Sequence, residues 1–143
     1  MNHTAYEEDF IPWVETQAAL LRDRKFDLLD IPNLYEELTS MASHIRHQLA
    51  SRLRVLEVHL LKCSFQPKRK SSSWRKTICE QRARIAQLLK RYPSLQHDLA
   101  DEAHDAYPVA VRQAAHETAL AAARFPAVLP FTVDELLDFD FEP

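Results

Sequence analysis

The chain has 143 residues, 46% of them hydrophobic and 27% charged, a formal net charge of −3 and no glycine. This length fits one domain, within the usual range of about 100–200 residues, and the composition suits a soluble chain with one helical core. Average usage would supply about ten glycines; with none there is no G-x-x-x-x-G-K-[ST] loop, no G-x-G-x-x-G fingerprint and no G-x-S-x-G elbow, which sets aside the enzyme classes built on them.

Asp9 reads as the N-cap of a first helix, in which Phe10, Trp13, Val14, Gln17, Leu20 and Leu21 recur at i, i+3, i+4, i+7 spacing and which ends near Arg24. Asp30, with Pro32 just inside, opens a second helix. Its stripe is Leu34, Leu38, Met41, Ile45, Leu49, Leu53, Leu56, Leu60 and Cys63, close to the 3.6-residue period, so one face is expected to be buried throughout. Ser40-Met41-Ala42-Ser43 is a place where it could bend. Pro67 ends this helix, and Ser71-Ser72-Ser73 precedes a third with Trp74, Ile78, Ile85, Leu88, Leu89 and Tyr92 on one face.

Pro93-Ser94 is expected to start a fourth helix with Ser94 as N-cap. It carries Leu95, Leu99, Ala103 and Ala106, then continues through Ala114, Ala115, Ala119 and Ala123. Tyr107-Pro108 should kink or break it, because proline removes a backbone hydrogen bond and crowds the residue before it. Pro126 and Pro130 mark a loop, and Thr132-Val133-Asp134-Glu135 reads as a capping box opening a last short helix. No segment shows strand alternation, and tight primed hairpin turns are disfavoured without glycine. The expected fold is therefore all-α: a single-domain helical bundle over residues 1–143 with about four main helices, a long central antiparallel hairpin and a short C-terminal helix.

No apolar run reaches the roughly 18 residues a membrane span needs. The opening Met1-Asn2-His3-Thr4-Ala5-Tyr6-Glu7-Glu8-Asp9 lacks the basic and apolar regions of a secretory signal. Cys63 and Cys79 make neither a disulfide framework nor a zinc set, so a reducing cytoplasm is the expected address.

The modest net charge hides a segregated pattern. Residues 1–45 hold nine acids and three bases, residues 46–91 thirteen bases and two acids (Glu57 and Glu80), and residues 92–143 ten acids and two bases. The bases crowd the predicted turn between the second and third helices: Lys62, Lys68, Arg69, Lys70, Arg75 and Lys76. Arg75 and Lys76 fall in the first turn of a helix, where the macrodipole is already positive and an anion would be welcome. The serine hydroxyls, Ser73 among them, and unpaired first-turn amides would complete such a site, with Lys62 and Gln66 beside it. Trp74 could stack on a base, although its register with Ile78 and Ile85 reads first as core. The first reading of the bases is nevertheless plain solvation, or neutralisation by acids of the flanking helices or of the tail from Asp134 to Glu142.

Chemical sites are weaker. His59 and Cys63 share a helix face at i, i+4, but two ligands do not make a metal site, and His44 and His47 lie more than two turns away. His97, Asp101 and His104 form a second same-face set, and paired Glu-x-x-His motifs are lacking. No metal or cofactor is expected. His59 reads as a hydrogen-bonded histidine at the edge of the core, and both cysteines as free buried thiols. The serines have no recognisable activating base, and Glu80 with Arg84 is an ordinary helix pair.

The stretch His59-Leu60-Leu61-Lys62, then Gln66-Pro67, then Ser73-Trp74-Arg75-Lys76-Thr77-Ile78-Cys79-Glu80-Gln81-Arg82 resembles the domain of unknown function 29 family, small all-helical proteins found mostly in bacteria. Tyr6-Glu7-Glu8-Asp9-Phe10 with Trp13, Phe26 to Asp30 with Asn33-Leu34 and Glu36-Glu37, and Phe131-Thr132 with Glu135-Leu136-Leu137 also look like it. The positions matching its polar motif are His59, Lys62, Gln66, Pro67, Arg69, Trp74, Glu80, Gln81 and Arg82. The resemblance brings no established activity, cofactor or catalytic residue. Arg24 and Ala42 stand where family members often have glycine, which implies a left-handed backbone at Arg24.

Three functional classes follow. The preferred one is a non-enzymatic binding module whose basic hairpin docks nucleic acid or an acidic protein surface. An enzyme with an anion-binding polar site would instead need His59, Glu80 and Arg82 in one concave pocket. A structural scaffold or homo-oligomer would use an exposed apolar helix face.

Overall fold

A computed structural model describes residues 5–143, so Met1–Thr4, the start of the stretch read for a leader, lie outside the described residues. Among the described residues there is no strand, and the chain is all-α. Among the described residues no helix is long and apolar enough to cross a membrane. It divides into two compact units, Met1–His44 and Ile45–Pro143.

The first unit holds α1 (Ala5–Glu8), α2 (Phe10–Arg22) and the start of α3 (Ile31–Phe65). Asp9 caps α2 by accepting from the Ile11 amide at 3.3 Å. The helix stops at Arg22 because Arg24 turns left-handed, with φ at 57°, in the place where glycine would serve. The loop to α3 is held by Asp30, whose carboxylate accepts from Trp13 Nε1 at 2.9 Å and Asn33 Nδ2 at 2.8 Å while its amide donates to Gln17 Oε1 at 2.8 Å. The Tyr6 ring sits edge-on to Trp13 at 4.8 Å, and its hydroxyl donates to Glu37 at 2.5 Å.

Two expectations for this unit need correction. The short helix α1 was not foreseen. The apolar stripes of α2 and early α3 are only partly buried: Trp13 is covered, whereas Phe10, Val14 and Leu21 are exposed and Leu38 and Met41 are 65% and 62% exposed. Two helices and a short turn share a seam rather than enclose a core, so apolar residues off the seam stay in water. Of thirteen exposed large hydrophobic residues among those described, ten lie between Phe10 and Met41.

In the second unit the remainder of α3 joins α4 (Ser72–Arg91), α5 (Leu99–Thr118) and α6 (Val133–Leu137) around one core. Leu49, Leu53, Leu56, Leu60 and Cys63 are buried as the periodicity requires, but so are Val58 and Leu61, off the stripe. A helix covered on more than one side is central to its unit. α3 runs unbroken through Ser40–Ser43. Its antiparallel course with α4 is visible in the pairings, since Lys62 meets Trp74 near the turn while Arg52 and Arg84 wall one pocket further along.

The fourth predicted helix differs at both ends. Pro93–His97 forms a 3₁₀ turn that buries Leu95, so Ser94 is no N-cap and α5 begins at Leu99 after Asp98. It ends at Thr118, where Ala119 takes φ 59°, and Ala123 belongs to a separate 3₁₀ turn, Ala122–Arg124. Pro108 does not break α5. The carbonyl that loses its partner is that of His104, an exposed residue, so the lost bond falls on the solvent side of the helix. Tyr107 points inward and its hydroxyl donates to the Pro126 carbonyl at 2.7 Å. The capping box opening α6 forms as read, with Thr132 and Glu135 exchanging bonds of 3.0 and 3.1 Å.

Candidate anion-binding hairpin

The turn between α3 and α4 is built by Pro67 and Ser71. Pro67 cannot continue a helix and instead opens a 3₁₀ turn to Arg69, and Ser71 Oγ accepts from the Trp74 amide at 3.2 Å to start α4. Gln66 ties the turn to the end of α5 by donating Nε2 to the Thr118 carbonyl at 3.2 Å.

Ten of the thirteen bases of residues 46–91, those from Lys62 onward, fall into two groups once their partners are known. One group is engaged within the protein. Lys62 is 8% exposed, with its ammonium 4.7 Å from the centre of the Trp74 ring and 3.5 Å from Glu117. Lys70 donates to the Pro143 carbonyl at 2.5 Å and lies 3.7 Å from Glu142, whose Oε1 also accepts from Arg75 Nε at 3.0 Å. Arg82 is buried and donates to the carbonyls of Leu136, Phe141 and Glu135 at 2.8, 2.9 and 3.1 Å. It is the clamp that holds the C-terminal segment against α4.

The other group faces water. Lys68, Arg69 and Lys76 are exposed around the turn, beside the exposed Ser73, and none forms an ion pair among the described residues. Arg84, Lys90 and Arg91 continue this surface along α4, with Glu80 as the one carboxylate among the exposed residues of that helix. Trp74 is half-buried against the core with Lys62 over its ring, so the core reading of its register holds.

The residues considered for chemistry have separate fates. His59 is half-buried and donates Nδ1 to the Val55 carbonyl at 2.9 Å, since a carbonyl can only accept. Burial pushes its imidazole below the usual histidine range. Glu80 is exposed and Arg82 is spent on tail carbonyls, so no contact among the described residues joins these three. Both cysteines are free, but only Cys63 is buried, with its thiol pushed up by desolvation; Cys79 is exposed, contrary to expectation, because it lies on the water side of α4. No group of three or more metal-ligating side chains occurs among the described residues.

Glu57 is one of two acids in the basic segment. It is fully buried, neither carboxylate oxygen has a hydrogen-bond partner, and desolvation pushes its carboxyl up to about 8. The sequence signal was its setting, a lone acid inside Val55-Leu56-Glu57-Val58-His59-Leu60-Leu61. Gln81 Oε1 is likewise buried without a partner.

The family model for the domain of unknown function DUF29 matches residues 5–142. No curated protein and no solved structure matches the chain.

Proposed function

Since the chain belongs to the DUF29 family, a membership that names no activity, we propose from the site itself that this is a non-enzymatic binding module whose basic hairpin docks nucleic acid. The observation that carries this reading is the second group of bases. Lys68, Arg69 and Lys76 project from the turn and Arg84, Lys90 and Arg91 from α4, exposed and without ion pairs among the described residues. Internal neutralisation accounts for Lys62, Lys70 and Arg75, whereas these six are exposed cations suited to a phosphate backbone.

The test is anisotropy of labelled single-stranded RNA and DNA over a range of salt. Wild type should bind with an affinity that falls steeply as salt rises. Lys68→Ala/Arg69→Ala/Lys76→Ala should weaken binding and lower the log–log salt slope by about 2, at roughly 0.7 per lost single-strand contact. A triple variant that binds as well as wild type, or no binding by wild type at low salt, sinks the reading.

A second reading has its own support. Glu142 already rests on Lys70 and Arg75, and the tail that carries it alternates acid and aromatic, Asp138-Phe139-Asp140-Phe141-Glu142. An acidic protein segment of this type would be the partner if nucleic acid fails to bind and a synthetic peptide of the tail sequence competes for the hairpin.

A further inference from the structure

Three arginines converge on a pocket of about 320 Å³ between the middle of α3 and the second half of α4, lined by Gln48, Arg52, Arg84, Gln87, Arg91 and Tyr92. The convergence is a matter of helical spacing. Gln48 and Arg52 are four apart on α3, and Arg84, Gln87 and Arg91 step by three and four on α4, so each helix turns one polar face toward the same cleft. No carboxylate lines the pocket.

The neighbouring arginines show how unusual this is. Arg46 pairs with Asp98 at 3.4 Å, Arg54 bonds the Gln113 side chain, and Arg82 is satisfied by three carbonyls. Arg52, Arg84 and Arg91 have no ion pair among the described residues. Three guanidinium groups sharing one concavity repel one another, and a bound anion relieves that repulsion. Arg91 lies over the Tyr92 ring at 5.4 Å, which limits where its planar fork can point. The two glutamine amides add neutral donors to the cationic ones.

We propose that this pocket binds a phosphate monoester. Guanidinium forks match phosphate oxygens two at a time, and a monoester carries a charge of about −1.5 to −2 at neutral pH, a better match to three cations than the single charge of a diester. The volume admits a phosphate with a small organic group. Arg52 stands 13 residues before the end of α3, or about 20 Å from the turn at 1.5 Å per residue, so the pocket lies apart from Lys68, Arg69 and Lys76, while Arg84 and Arg91 are shared with the proposed nucleic-acid face. The monoester could belong to a small metabolite or to the 5′ end of an oligonucleotide.

The experiment uses the whole chain, isotope-labelled, with arginine Nε–Hε signals followed by NMR at constant ionic strength. Phenyl phosphate is the small-molecule probe, and a short RNA with a 5′-phosphate is compared with the same RNA carrying a 5′-hydroxyl. Saturable shifts of Arg52, Arg84 and Arg91 are expected with phenyl phosphate, with the phosphorylated RNA in preference to the hydroxyl form, or with both, and the arm that responds identifies the source. Because Arg84 and Arg91 are exposed, Arg84→Gln/Arg91→Gln should keep the fold by circular dichroism and lose about tenfold or more in affinity. The Lys68→Ala/Arg69→Ala/Lys76→Ala variant should keep its preference for the phosphorylated ligand. The proposal is overturned if neither probe shifts these signals, or if the double glutamine variant binds the monoester as tightly as wild type. Either result leaves the hairpin-turn reading to stand or fall on its own salt dependence.

Discussion

Arg82 donates through Nε to the carbonyl of Leu136 at 2.8 Å, joining the middle of α4 to the last helix across 54 residues of chain. Two further bonds from the same guanidinium reach Glu135 and Phe141. Lysine has the charge but not the planar fork, and it cannot span three carbonyls. Arg82→Lys is expected to lower unfolding free energy by about 3 kcal/mol, as hydrogen bonds to a charged group at a buried site are worth about 1.5–3 kcal/mol each. Urea denaturation measures the loss, and limited proteolysis should cut the segment after Phe131 sooner than in wild type.

Glu57 makes stability depend on pH in a defined direction. Below about 4.5, its ordinary value, both folded and unfolded chains hold the proton and the group contributes its full stability. As pH rises towards 8 the unfolded chain releases the proton while the folded chain keeps it, so stability falls. The whole span is on the order of 5 kcal/mol, at 1.36 kcal/mol per pKa unit. His59 acts in the opposite sense at its acid end, since its lowered folded value lets the unfolded chain bind the extra proton. Glu57→Gln isolates the carboxyl: the Tm of wild type should drop relative to the variant between pH 5 and 8. Parallel curves would refute the assignment.

Arg24 and Ala119 hold φ near 57° and 59° without being glycine. A left-handed backbone costs an L-residue about 1–2 kcal/mol, partly offset by the greater freedom glycine restores to the unfolded chain. Arg24→Gly and Ala119→Gly should each raise stability by about 0.5–1 kcal/mol, measured by chemical denaturation. A loss at either position would mean that the side chain contributes more than the strain.

Glu142 neutralises two turn bases at once, Lys70 and Arg75. Glu142→Gln should free both and tighten polyanion binding about two- to fivefold, with a steeper salt dependence. The same anisotropy titration that tests the hairpin reads this out. An unchanged affinity would show that these two cations never meet the ligand.

Much of the fold was legible in patterns that depend on neighbours in sequence. The Asp9 and Thr132 caps and the arrest of α3 before Pro67 follow from local stereochemistry, and the left-handed Arg24 from the family resemblance. What could not be read was set by distant packing. Val58 and Leu61 are buried because helices close round α3 on several sides, and Leu38 and Met41 are exposed because the first unit has no such surround. Pro108 was judged by its own ring, without knowing that the carbonyl it orphans faces water. At the hairpin, the clustering of charge was plain but its division was not. Which bases meet Glu117, Glu142 or the tail carbonyls depends on contacts across some 50 to 70 residues of chain, and the pocket formed by Arg52, Arg84 and Arg91 depends on how α3 and α4 pack.

The two tryptophans are divided between the two compact units, Trp13 in Met1–His44 and Trp74 in Ile45–Pro143. Trp13 is almost enclosed, with its indole N–H bound to Asp30, while Trp74 is half-buried under a lysine ammonium. Their emission should therefore differ in both wavelength and quenching. Each unit carries its own optical label, and replacing either ring with phenylalanine leaves the other as a reporter. Melting curves from the two single-tryptophan proteins then reveal whether the long α3 couples the units into one cooperative transition or lets the N-terminal helices melt first.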